Sequence, residues 1–145
     1  MTRWLSAAFI LCLALVMAAC SVTKGRITGL DADPAALPEL AGEYAVNGID
    51  QSGNEYGGRL SIQPGDAAGH YRLQWIITES IQEGTGTVEG NKLKVAWQSA
   101  PGQPAEGLHG VAAYTITNRG ELHGTRTVDG SARSWEETAF PNKVK

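Results

Sequence analysis

The chain has 145 residues, 12 basic against 15 acidic side chains, a formal net charge of −3, and only two cysteines. That length suits one domain, and a mildly acidic chain without a basic cluster gives no footprint for nucleic acid, so none is expected as a partner. Cys12 lies inside an apolar leader, which leaves Cys20 without a mate. No internal disulfide is expected, and the fold must rely on its core.

Residues 1–19 read as an export signal. Arg3 precedes a run from Trp4 to Ala19 without a charge, and small residues stand before Cys20. The run falls short of the roughly 20 apolar residues a membrane-spanning helix needs. Val16-Met17-Ala18-Ala19-Cys20 resembles a bacterial lipobox, with Met17 where leucine is usual. The resemblance implies cleavage before Cys20, a lipid on its thiol and amine, and a cell-envelope location. Ser21 after the cysteine resembles the outer-membrane sorting pattern, facing the periplasm or the surface. The alternative is a plain secretory signal cut near Ala19. Residues 20–39 would then be the lipidated cysteine and a flexible tether. Gly25, Gly29, Pro34 and Pro38 break any periodicity there, and residues 21–39 would reach roughly 25 Å.

From residue 40 to 141 the pattern is one of strands. In 69–79, Tyr71, Leu73, Trp75 and Ile77 recur with period two, and His70, Arg72, Gln74 and Thr78 take the other phase. This is the alternation of a strand with one buried and one wet face, with Ile76 as an apolar residue on the wet side. The same alternation is read at 40–46, 55–63, 82–88, 92–98, 108–117, 121–127 and 134–140. Polar loops are expected at 47–54 and 99–107, turns at Pro64-Gly65-Asp66, Glu89-Gly90-Asn91, Asn118-Arg119-Gly120 and Asp129-Gly130, and a short tail at 142–145. Eight evenly spaced strands joined in sequence predict an all-β domain, an eight-stranded up-and-down antiparallel barrel whose closure removes both edges. A β-sandwich is the alternative. Gly58, Gly84, Gly86 and Gly124 fall in the inner phase, where a small barrel must coil sharply.

Few residues carry chemistry. Gly84-Thr85-Gly86 sits within a strand pattern and does not open a helix, so it is not a phosphate loop. His70, His109 and His123 have no metal-ligand spacing, and neither a metal nor any other cofactor is expected. Glu136 and Glu137 are adjacent, so on a strand they point to opposite faces and cannot act as a glycosidase pair. One of them must face inward, with Arg126 as its natural partner. No catalytic residue is assigned. The inner-phase aromatics Tyr56, Trp75, Trp97 and Tyr114, with Arg126, are the candidate ligand-binding set. A barrel of this size is either filled by its side chains or just holds one small ligand.

Gly42-x-Tyr44-x-Val46, Tyr56-x-Gly58-x-Leu60-x-Ile62, Tyr71-x-Leu73-x-Trp75, Gly84-x-Gly86, Leu93-x-Val95-x-Trp97 and Leu122-x-Gly124 resemble a family of small secreted bacterial barrel lipoproteins, some labelled fibronectin-binding. Arg126 stands where that family usually has an aromatic. Gly42-x-Tyr44 is also similar to the G-x-W that opens the calycin barrels, with Tyr for Trp. The resemblance implies a calycin-like, membrane-tethered monomer. The expected function is a non-enzymatic binding module for a small apolar or aromatic ligand or a surface partner. The alternatives are an inhibitor of an envelope hydrolase, a lysozyme or a protease, and a purely structural envelope protein.

Overall fold

The computed structural model describes residues 25–78 and 80–143. The export signal, Cys20 and the first tether residues lie outside the described residues. Eight strands follow one another: β1 (Gly42–Ile49), β2 (Glu55–Pro64), β3 (His70–Ile77), β4 (Ser80–Glu89), β5 (Lys92–Ser99), β6 (His109–Ile116), β7 (Leu122–Val128) and β8 (Ser134–Pro141). Each pairs antiparallel with the next, and β8 closes back on β1. The expected meander barrel is the fold.

Alternation sets the two faces. Leu73, Trp75 and Ile77 of β3 and Leu93, Val95 and Trp97 of β5 are buried, and the residues between them are exposed. Ile76 stays on the wet face, 45 % exposed. The interior is filled, not hollow. Leu60, Trp75, Leu93, Tyr114, Ile116, Leu122 and Ala139 have no measurable exposure, and a methyl group on Gly84 would lie 3.1 Å from the Trp75 ring.

Two boundaries differ from expectation. The first concerns β1, which continues through Asn47 and Gly48 to Ile49, into the stretch expected to be a polar loop. Gly48 pairs with Tyr56 on one side and Glu137 on the other. Its missing side chain is what admits the Tyr56 ring, since a Cβ there would fall 2.3 Å from Tyr56 Cζ.

The second difference is the tether. From residue 25 onward it is laid across one end of the barrel as a strap. The Glu121 carboxylate, in the turn between β6 and β7, accepts the Gly29 amide at 2.7 Å and the Thr28 hydroxyl at 2.9 Å. It also accepts the Thr28 amide at 3.2 Å and the Thr117 hydroxyl at 3.0 Å. Ala32 donates to Ile116 O and accepts from Asn91 Nδ2. Ala32 and Leu40 are buried against the core, and the Tyr44 hydroxyl donates to Leu40 O at 2.8 Å. Burial alone would raise the Glu121 pKa, but the donors from Gly29, Thr28 and Thr117 hold it below the usual carboxylate range. A segment rich in Pro and Gly reads as free chain by composition. Here the partners that satisfy its backbone come from two distant turns.

Candidate functional site

The end opposite the strap is formed by the loops 50–54, 100–108 and 129–133 and by the turn from β3 into β4, and the barrel's polar interior lies toward it. Its centre is Glu137 on β8. The register explains how one carboxylate collects so many donors. Glu137 pairs with Gly48 on β1 and Gly124 on β7, and the residues beyond those glycines are Tyr56 on β2 and Tyr114 on β6. Neither glycine has a side chain to block the way, so both tyrosines lean over onto the same group. A Cβ at Gly124 would sit 1.9 Å from Ala113 O.

Glu137 Oε1 accepts from Tyr114 OH at 2.6 Å and from Trp75 Nε1 at 3.1 Å. Oε2 accepts from Tyr56 OH at 2.5 Å and from Arg126 Nη1 at 3.0 Å. Trp135 Nε1 donates in turn to the Tyr56 oxygen at 3.0 Å. The Arg126 side chain is 1 % exposed and that of Glu137 is 0 % exposed. The guanidinium lies between the rings of Trp75 and Trp97, 4.8 and 4.4 Å from their centroids, with Trp135 at 5.8 Å. Room for Trp97 comes from its cross-strand neighbours, Gly84 and Gly110. Arg126 Nη2 donates to Gln82 Oε1 at 2.5 Å. Two buried polar atoms have no partner among the described residues, Arg126 Nε and Ser99 Oγ.

The electrostatics follow from burial and from the pair. Burial, then the Glu137 charge, pushes the hydroxyl pKa values of Tyr56 and Tyr114 far up, so both remain donors. For Arg126, burial alone would lower the pKa, but Glu137 and the two tyrosines raise it on balance. A buried pair of this kind is favourable only when its remaining valences are satisfied. Glu137 meets that condition with four donors. Arg126 meets it except at Nε.

The structure gathers Tyr56, Trp75, Trp97, Tyr114 and Arg126 around one buried polar cluster. Four of them bond Glu137, the inward one of the two adjacent glutamates, and Trp97 packs on the Arg126 guanidinium instead. Four of the set, Trp75, Trp97, Tyr114 and Arg126, are sealed into the core. The half-buried members at the loop end are Tyr56, Gln82 and Trp135. Pattern reasoning misses Gln82, although its phase, shared with Gly84 and Gly86, marks it as inward. No group of three or more His, Cys, Asp or Glu side chains able to hold a metal occurs among the described residues.

No protein-family model and no curated protein matches this chain. Solved structures do, at the level of fold. A redesigned β-barrel, b11L5F_LGL, superimposes with a TM-score of 0.58 at 13 % identity over 80 % of this chain and all of its own. The redesigned barrels mFAP0 and mFAP1, each solved bound to DFHBI, give TM-scores of 0.56 and 0.54 at 18 % and 17 % identity. Each covers 69 % of this chain, with 96 % and 91 % of its own length matched. Identities this low speak for the barrel architecture alone.

Proposed function

We propose that this chain is a lipid-anchored protein of the bacterial envelope whose barrel is a non-enzymatic binding module. It takes a small planar ligand at the loop end, on the half-buried Tyr56, Gln82 and Trp135. The observation that carries this reading is the Arg126 guanidinium, held between tryptophans directly behind those three side chains with its Nε–H unmatched. A planar molecule with an acceptor oxygen suits such a place, with ring stacking on Trp135, a hydrogen bond to the half-buried Gln82 amide, and the buried guanidinium's positive charge behind it. The DFHBI-bound barrels lend support by analogy of fold. Because the interior is filled, the ligand sits on the polar cluster and not inside the lumen.

Titrating the intrinsic tryptophan fluorescence with DFHBI and with an anilinonaphthalene sulfonate tests the reading. A saturable change is expected, weakened at least tenfold in Trp135→Ala, compared at a temperature at which circular dichroism shows that variant folded. A flat titration with both probes would leave the ligand site without support.

The anchor is tested separately. In Cys20→Ala the protein should pass from the membrane fraction to the soluble envelope fraction or accumulate unprocessed. Unchanged recovery in the detergent phase would refute lipidation at Cys20.

A further inference from the structure

A second concave surface lies on the outside of the barrel wall, where Trp97 is the lining residue it shares with the polar cluster. It is a groove of about 760 Å³ across the outward faces of β2 to β6, with the β7–β8 turn at its far side. The strand register lines up one residue per strand along it. Ser61 pairs with Gln74, Gln74 with Glu83, Glu83 with Gln98, and Gln98 with His109. Asp129 completes the row, its carboxylate 3.1 Å from His109 Nε2. With strands about 4.8 Å apart, six such positions span roughly 24 Å.

Two features separate this row from an ordinary wet sheet face. Ser61, Gln74, Glu83 and Gln98 spend none of their side-chain hydrogen-bonding capacity on other described residues. Gln63 lies in the same groove, so three glutamines line one wall of the molecule. Beside the row Ala96 pairs with Val111, which is 53 % exposed, and the two make a small apolar step in a polar trough.

The chemistry of the trough narrows what fits it. A peptide strand has no edge to join, because the barrel is closed. A nucleic acid would need a basic track, and Arg72 is the only lysine or arginine in the lining. An apolar molecule would leave the amides unpaired. Repeated planar amides and a carboxylate beside a narrow apolar step suit a chain of neutral rings with hydroxyl groups at their edges and C–H faces between them. We infer that this groove is a binding site for a neutral linear oligosaccharide, separate from the ligand position at the loop end.

The test uses the full chain, isotopically labelled and purified in a detergent without a sugar headgroup, with cellohexaose, chitohexaose and maltohexaose as probes. At least one should give saturable amide shifts confined to β3–β6 and their outward residues. In the double variant Gln74→Ala, Gln98→Ala, whose melting temperature should be unchanged because both side chains are exposed and unpaired, the affinity should fall at least tenfold. The inference is overturned by no saturable shift from any of the three at millimolar concentration. Shifts centred on Tyr56 and Trp135, or binding undiminished in the double variant, would overturn it equally. None of these results depends on whether the loop end takes its own ligand.

Discussion

Glu137→Ala is expected to destabilise the barrel by about 3–5 kcal/mol, the cost of stranding a buried charge. Among the described residues, the substitution removes the only acceptor for Trp75 Nε1 and Tyr114 OH, one partner of Tyr56, and the counter-charge of Arg126. Tyr56 can turn its hydroxyl and Gln82 still holds one side of the guanidinium. Trp75 and Tyr114, both without exposure, have no such recourse. Against a total stability of about 5–15 kcal/mol for an ordinary domain, this would bring the protein close to unfolding at room temperature. Arg126→Met should be milder alone, because methionine can fill the slot between Trp75 and Trp97. Combined with Glu137→Gln it should be more stable than the additive loss of the two single changes. Glutamine keeps an acceptor for Trp75 and Tyr114, and its amide can donate to Tyr56. Urea denaturation of the four members of that cycle measures the coupling. A Glu137→Ala variant within a few tenths of a kcal/mol of wild type would mean that the carboxylate is not the hub described.

A cooperative alkaline transition is the second large effect expected. Tyr44 is 2 % exposed, and burial, with smaller contributions from Glu39 and Tyr71, pushes its pKa up to about 12. Tyr56 and Tyr114 are raised further by burial and by Glu137. A tyrosine in the unfolded chain ionises near pH 10. For a folded pKa raised above that value, the stabilising contribution is complete below about pH 10 and is lost as pH climbs through the folded pKa. Tyr44 alone should cost on the order of 2–3 kcal/mol by pH 12, because each tenfold change in proton affinity is worth about 1.4 kcal/mol. The measurement is phenolate absorbance followed alongside near-ultraviolet circular dichroism. Both should change together above pH 10. Phenolate formation well before the loss of tertiary signal would show that these hydroxyls are not the buried donors the geometry makes them.

Much of the architecture is legible in the residues because a strand with one dry face repeats every two positions. Tyr71, Leu73, Trp75 and Ile77 state their own orientation, and eight such runs with turns between them leave few topologies. The hub is half legible. Phase alone says that one of Glu136 and Glu137 turns inward and that Arg126 does too. The meeting of two tyrosines on Glu137 depends on Gly48 and Gly124 flanking it in the register, and pairing register is not written in any single strand. The strap escapes pattern reading for a related reason. Residues 25–40 have no periodicity of their own, and what holds them is Glu121, more than 90 positions away from Thr28. Whether the lumen is open is not legible at all. Alternation tells which side chains face one another, but their packing is a matter of ångströms between strands far apart in sequence.

If Cys20 carries the proposed lipid, the strap also sets how this molecule would stand on a membrane. A loose linker through residue 39 would let the barrel swing at any angle. The chain is docked from residue 25 onward, so under the proposed lipidation only residues 20–24 would separate the docked strap from the anchor. Fully extended, that is at most roughly 18 Å. The strap's described start lies at the end where β6 turns into β7, so under that proposal the barrel would sit with that end toward the lipid headgroups. Tyr56, Gln82 and Trp135 then look outward into solvent, and the sugar-sized trough on the wall runs around the flank, level with the bilayer plane. An arriving molecule would meet the protein from above or from the side, never from beneath.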